Sequence, residues 1–236
     1  FWTVFFHADP FAGGGEAMKR KKILTRKGRA IRLAAAALGM LFYANYACNT
    51  GYLLPIQAVS EETERIGAGK LETVEWRLDP EMDEFLYSGQ ICLLANSYVT
   101  ALVDISFSPL NGWWAWYEPL LTTEDEERIL YVGAESYNSI FPRDREPGEP
   151  WDEILYIFGR VDDPEIQCLE FEIRNGENGE KISYITSTRS DWTTEGAYTY
   201  FLVRHEFEGS WGKLALLRTI AYDATGNVVT TVNGGT

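Results

Sequence analysis

From Thr73 onward the chain sets short apolar runs against turn residues, with little long-period patterning. Thr73-Val-Glu-Trp-Arg-Leu78 alternates, which predicts a strand with Val74, Trp76 and Leu78 on one face. Phe85–Tyr87 and Ile91–Leu94 flank Ser88-Gly89, and Tyr98–Phe107 is rich in Val, Thr and Ile. Ser108-Pro-Leu-Asn-Gly112 predicts a hairpin loop leading into Trp113-Trp-Ala-Trp-Tyr117. Ile129–Val132 and Ile154–Val161 are further strands. Ile166–Ile173 and Lys181–Thr186 form a hairpin about the turn Asn175-Gly-Glu-Asn-Gly179. Tyr198–Phe207, Leu214–Tyr222, the turn Asp223-Ala-Thr-Gly-Asn227 and Val228–Val232 complete the pattern.

No run after Leu54 keeps a long 3.6-residue apolar period. Glu61–Lys70 predicts one short polar helix, stopped by Gly67 and Gly69, and Asp79-Pro80-Glu81 a turn. Many short strands with regular turn signals predict an all-β fold, an antiparallel β-sandwich. The prolines at 142, 147 and 150 divide the strands into a first β unit, 61–140, and a second, Ig-like one, 151–236. Whether the two share one core stays open.

Charge changes the picture at the N-terminus. Residues 1–57 hold eight basic and two acidic residues, and the remainder 13 and 33, within a net charge of −14. From Met18 a basic stretch runs to Arg32, followed by Leu33-Ala-Ala-Ala-Ala-Leu-Gly-Met-Leu-Phe-Tyr-Ala44, then Pro55 and small residues at Ala58 and Ser60. That order predicts a signal peptide over 18–60, cut after Ser60, and a secreted or extracytoplasmic remainder. An uncleaved signal anchor is the alternative, with membrane contact only through 33–54. A lipid attached at Cys48 would want an aliphatic residue where Asn45 stands, and a buried helix of a cytosolic protein would not explain the basic flank. Residues 1–17 are expected to be upstream sequence read in frame, since Gly13-Gly-Gly-Glu-Ala17 back-translates to a purine-rich string just before the Met18 codon, with a genuine, disordered extension as the alternative.

The acidic balance excludes an extended nucleic-acid surface, which needs clustered Lys and Arg. Two histidines and three cysteines exclude a zinc ribbon or a multi-His metal centre. Cys92 and Cys168 lie in apolar runs and are expected as unpaired thiols, with a disulfide between them, which export into an oxidising space would allow, as the alternative.

Ile157-Phe-Gly-Arg-Val-Asp-Asp-Pro-Glu-Ile166, the alternating strands after it, and the closing Ile220-Ala-Tyr-Asp-Ala-Thr-Gly-Asn-Val228 resemble bacterial extracellular Ig-like domains over residues 154–230. The Asp-Pro-Glu-Ile segment is also similar to exported proteins of Gram-positive bacteria. The resemblance implies fold and location and carries no catalytic residue.

The candidate chemistry is sparse. In a strand, Trp114 and Trp116 share one face and Trp113 and Tyr117 the other. One pair fills a core while the other is free to grip a protein or stack on a sugar ring. Both pairs buried between sheets is the favoured reading, and the exposed pair the alternative. Asp162, Asp163 and Glu165, together with Asp223, offer hard oxygen ligands for calcium, but none follows an EF-hand spacing, neither does Glu124–Glu127, and a solvated charged face is the favoured reading of all of them. His205 lacks a nucleophile elbow, and Ser210-Trp-Gly-Lys213 lacks the partner motifs of the penicillin-binding enzymes. The expected function is therefore a non-enzymatic binding or assembly module at the cell surface, with a protein or cell-wall polysaccharide as partner. The alternative is a secreted glycoside hydrolase using paired carboxylates, or a carbohydrate-binding protein.

Overall fold

The computed structural model describes residues 26–48, 52, 54–78, 90–108, 112–122, 128–138, 151–175, 181–210 and 214–234. The chain divides into two compact units, 1–44 and 45–236. Helix α1 (Arg26–Cys48) runs through the Ala- and Leu-rich segment, whose residues are strong helix formers. Its Leu33, Leu38, Met40 and Tyr43 are exposed. Among the described residues, no helix is long and apolar enough to cross a membrane.

Helix α2 (Pro55–Arg65) starts at Pro55 rather than at Glu61, and it crosses Ser60. Proline suits the first helical turn because its φ is already helical and no partner is needed for its missing N–H. Gln57 Oε1 accepts the Leu54 N–H at 3.2 Å, and Gly67, at φ 70°, supplies the left-handed residue that ends the helix.

The described strands are β1 (Glu72–Leu78), β2 (Gln90–Ala95), β3 (Val99–Ser108), β4 (Gly112–Thr122), β5 (Leu130–Asn138), β6 (Trp151–Val161), β7 (Cys168–Asn175), β8 (Lys181–Thr188), β9 (Thr193–Glu195), β10 (Tyr198–Ser210), β11 (Ala215–Tyr222) and β12 (Val228–Asn233). They form three antiparallel sheets, ordered β1-β2-β3-β4, β5-β6-β10-β9 and β12-β11-β7-β8. The all-β expectation holds. The segments 79–89, 123–127, 139–150, 176–180 and 211–213 lie outside the described residues, and with them Phe85–Tyr87, the Pro-rich stretch and Glu124–Glu127.

Side-chain packing stacks these sheets in order. Ile91, Leu93 and Leu102 of the first sheet meet Ile154, Tyr156, Phe158, Tyr200 and Leu202 of the second. The second sheet's other face carries Leu155, Ile157, Phe201 and Phe207 onto Leu169, Phe171, Ile173 and Leu216 of the third. Outside the first sheet, Val59 of α2 covers Cys92, Leu94, Ala101, Val103 and Ile105. The sheet holding β5 and β6 is thus central and buried on both faces.

The expected boundary at 142–150 falls between β5 and β6, which pair from Leu130↔Val161 to Asn138↔Glu153. Strands from before and after the Pro-rich stretch therefore share one sheet. Gly159 marks a close approach in that sheet. A Cβ there would lie 1.9 Å from the Tyr131 carbonyl oxygen and 2.7 Å from the Phe201 ring.

β1 corrects one expectation about faces. Its pairing with β2 shifts register between Thr73 and Glu75, so one extra residue enters the strand. Such a bulge breaks the two-residue alternation. Val74 consequently packs into the core between the first two sheets, while Trp76 packs on the α2 side. Leu78 is exposed.

Cys92 and Cys168 are free thiols. Cys92 faces α2 on the first sheet and Cys168 opens β7 in the third, with the central sheet between them. Sheets pack about 10 Å apart, and a disulfide needs Cα atoms within about 7 Å, so the layering itself keeps the two apart. Burial pushes the Cys92 thiol up to about 12.

Candidate functional site

The aromatic run forms the start of β4, with Trp113 opposite Phe107, Trp114 opposite Ser106, Trp116 opposite Asp104 and Tyr117 opposite Val103. Trp113 is half-buried in the α2-side core, its ring 5.0 Å from that of Phe107. Its backbone N–H and carbonyl both bond Tyr52, each at 2.8 Å. Trp114 is half-buried on the opposite face. The side chains of Trp116 and Tyr117 lie outside the described residues. Asp104, on the Trp114 face, accepts the Ser106 hydroxyl at 3.1 Å, and burial raises its carboxyl above the usual range despite that bond.

The acidic candidates gather at one end of the stack. Asp162, Asp163 and Glu165 lie in the β6–β7 loop and Asp223 in the β11–β12 turn, and the Gln167 N–H bonds the Tyr222 carbonyl at 2.8 Å between them. Three of these carboxylates serve their own loops. Asp162 accepts from Arg160 at 2.7 Å, and Asp163 Oδ1 accepts the Glu165 N–H at 2.8 Å. Asp223 accepts from the N–H groups of Thr225 and Asn227, from the Thr225 hydroxyl and from the Asn227 amide. Those donors, the Asn227 amide foremost, hold its carboxyl well below the ordinary range. Among the described residues, no group of three or more His, Cys, Asp and Glu side chains is arranged to hold a metal ion.

At the same end, where the first sheet meets the central one, a cleft of about 320 Å³ opens between the β2–β3 turn and the β9–β10 turn. Lys70, Glu72, Asn96, Glu195, Tyr198 and Tyr200 contribute to its lining. Asn96 builds one wall. Its amide donates to the Ala68 carbonyl at 2.8 Å, and its Oδ1 accepts the N–H groups of Tyr98 and Val99, each at 2.8 Å. The loop carrying Lys70 is thereby tied to the β2–β3 turn. Gly196, at φ 62°, lets the opposite wall turn within two residues.

Arg160 supports the cleft from beneath. Its guanidinium lies 4.3 Å from the Tyr198 ring centre and 4.8 Å from that of Tyr131. It donates to the Ser97 carbonyl at 2.9 Å and to Asp162, and only 3% of the residue is exposed. One cation therefore joins the first sheet's turn, the central sheet and the β6–β7 loop. Burial raises the neighbouring Tyr200 phenol, and the Arg160 charge opposes that shift.

No single run of sequence indicates this cleft, since it arises where strands distant in sequence meet. One signal was present. Arg160 interrupts the apolar run Ile154–Val161, and a cation in a doubly buried strand needs partners that only another layer supplies. His205 lies elsewhere, its ring edge-on to Phe207 at 4.6 Å. No protein family, curated protein or solved structure matches this chain.

Proposed function

We propose that this is an exported Ig-type sandwich that acts by binding at the cell surface, with cell-wall polysaccharide as the partner of the loop-end cleft. The observation that carries the reading is strand order. With β5 to β12 taken as A, B, C, C′, D, E, F and G, the central sheet reads A-B-E-D and the third G-F-C-C′. That is the order of immunoglobulin-type sandwiches, whose binding loops cluster at the ends of the two sheets. On this reading the Ig-like part begins at β5, earlier than the resemblance over 154–230 implies. The turn Asp223–Asn227 then joins strands F and G.

The cleft suits a saccharide. Tyr198, half-buried, offers aromatic surface with a polar edge, Lys70 a donor, and Glu72 and Glu195 acceptors for hydroxyls. Export is supported by the order of the basic stretch, the Ala- and Leu-rich segment and the acidic remainder. The test is co-sedimentation of the full chain with purified Gram-positive cell-wall sacculi. Binding that drops at least about tenfold in both Lys70→Ala and Glu195→Ala is the expected result. Absence of binding, or binding indifferent to both substitutions, rejects the cleft as the contact.

The hydrolase reading rests on Glu72 and Glu195 lining the same cleft. Retaining and inverting glycosidases place two carboxyl groups about 5–9.5 Å apart across the scissile bond. New reducing ends released from the sacculi, and lost in Glu72→Gln or Glu195→Gln, would move the protein into that class.

A further inference from the structure

We infer that residues 52–65 are an integral part of the folded unit, and that a leader peptidase cuts before Tyr52 and not after Ser60. The position of the cut rests on the export reading above; the structural role of the segment does not. Tyr52 extends the β4 edge by a reciprocal backbone pair with Trp113, both bonds at 2.8 Å. Two residues on, Leu54 caps α2 and Pro55 begins it. The helix buries one face. Ala58 is 0% exposed, Val59 5% and Thr63 7%, and the Thr63 hydroxyl bonds the Val59 carbonyl at 2.7 Å. Ile56, on the other side, is 54% exposed.

Beneath that face lie Cys92, Leu94, Ala101, Val103 and Ile105, all buried. Hydrolysis of the Ser60–Glu61 bond would consume one water and leave a carboxylate on Ser60 and an amino group on Glu61. Ala58, Val59 and the Tyr52 bridge would depart with the leader, and the apolar outer face of the first sheet would open to solvent. Exposing such a face costs the transfer free energy that its burial supplied. The same hydrolysis N-terminal to Tyr52 removes α1 and keeps the cover.

The test expresses the full chain in a secreting Gram-positive host, sequences the N-terminus of the product, and measures melting of Ala58→Asp, Val59→Ala and Ile56→Ala. The expected product has been cut, has lost α1, and begins at or before Tyr52. Val59→Ala lowers the melting temperature by roughly 3–6 °C and Ala58→Asp by more, while Ile56→Ala shifts it by under about 2 °C. A cooperatively folded product that begins after Tyr52 overturns the inference, and so does a Val59→Ala chain that melts like Ile56→Ala. An uncut chain retained in the cell ends the export reading. The role of the segment then stands or falls on the melting comparison alone.

Discussion

In β6 every residue from Glu153 to Val161 is buried, whereas in β8 only Ser187 is, and Ile182 and Tyr184 face outward at 43% and 58% exposure. β6 sits in the central sheet with an apolar layer on each side, so even-numbered Ile154, Tyr156 and Phe158 and odd-numbered Leu155 and Ile157 all find partners. β8 is the edge of the third sheet, and its register is set by β7, with Phe171 opposite Ile185, Ile173 opposite Ser183 and Leu169 opposite Ser187. Ser187 is turned inward, where its hydroxyl accepts the Trp192 indole N–H at 2.8 Å. Burial at a position thus depends on how many layers cover the strand, and where both sides are covered even Glu153 and Arg160 are buried.

The comparison is sharpest at single side chains. Phe158→Ala, in the centre, is expected to cost about 3–5 kcal/mol, since it removes a fully buried ring and leaves a cavity. Tyr184→Ser, at the rim, is expected to stay within about 0.5 kcal/mol. Urea unfolding of the two variants measures both, and equal losses would break the distinction.

Arg160→Ala comes next, at about 3 kcal/mol. It withdraws a buried cation from Asp162 and from the Ser97 carbonyl, and it removes the support under Tyr198. Arg218, which pairs with Glu172 on the outer face of the third sheet, is the control. Its removal is expected to leave the denaturation midpoint almost unchanged, because exposed ion pairs are screened by solvent.

The smallest effects are in pH, and their signs differ between the two regions. Asp104 has its carboxyl raised by burial, so its favourable contribution is complete below the unfolded carboxylate value, about 3.9. That contribution is lost as pH rises through the folded value. Asp104→Asn should therefore gain on the native protein between pH 4 and pH 7. Asp223 is held low by its turn, so its contribution is present above the unfolded value and is lost as pH falls through the folded one. Asp223→Ala should flatten the acid limb of the stability profile. Melting curves from pH 3 to 8 read each variant against the native protein, and changes in slope of the same sign would contradict the placement.

Much of the fold was legible because strands write themselves into local sequence. Ile91–Leu94 and Ile154–Phe158 are unbroken apolar runs, as doubly covered strands are. Gly112 and the Asp223–Asn227 turn marked their hairpins. Three things were not legible. The first is the bulge at Thr73–Glu75, which puts Val74 and Trp76 on opposite faces. The second is α2, where Pro55 reads as a breaker in sequence and acts as the first residue of a helix. The third is the cleft, whose residues come from three separate stretches, 70–74, 95–97 and 195–200, and meet only after two sheets have stacked. The tryptophans at 113 and 114 were visible at once, but which face of β4 is covered is decided by α2 and the central sheet rather than by β4 itself.

Strands from both sides of the Pro-rich stretch meet in one stack through the central sheet. Native-state hydrogen exchange of the full chain in sub-denaturing urea tests it directly. The amides of β2 and β6 should exchange last and together, at the free energy of global unfolding, with β8 and β12 opening earlier. If β2 and β3 open as one group while β6, β7 and β10 persist as another, the strands before and after the Pro-rich stretch do not share a core, and the stack is wrong.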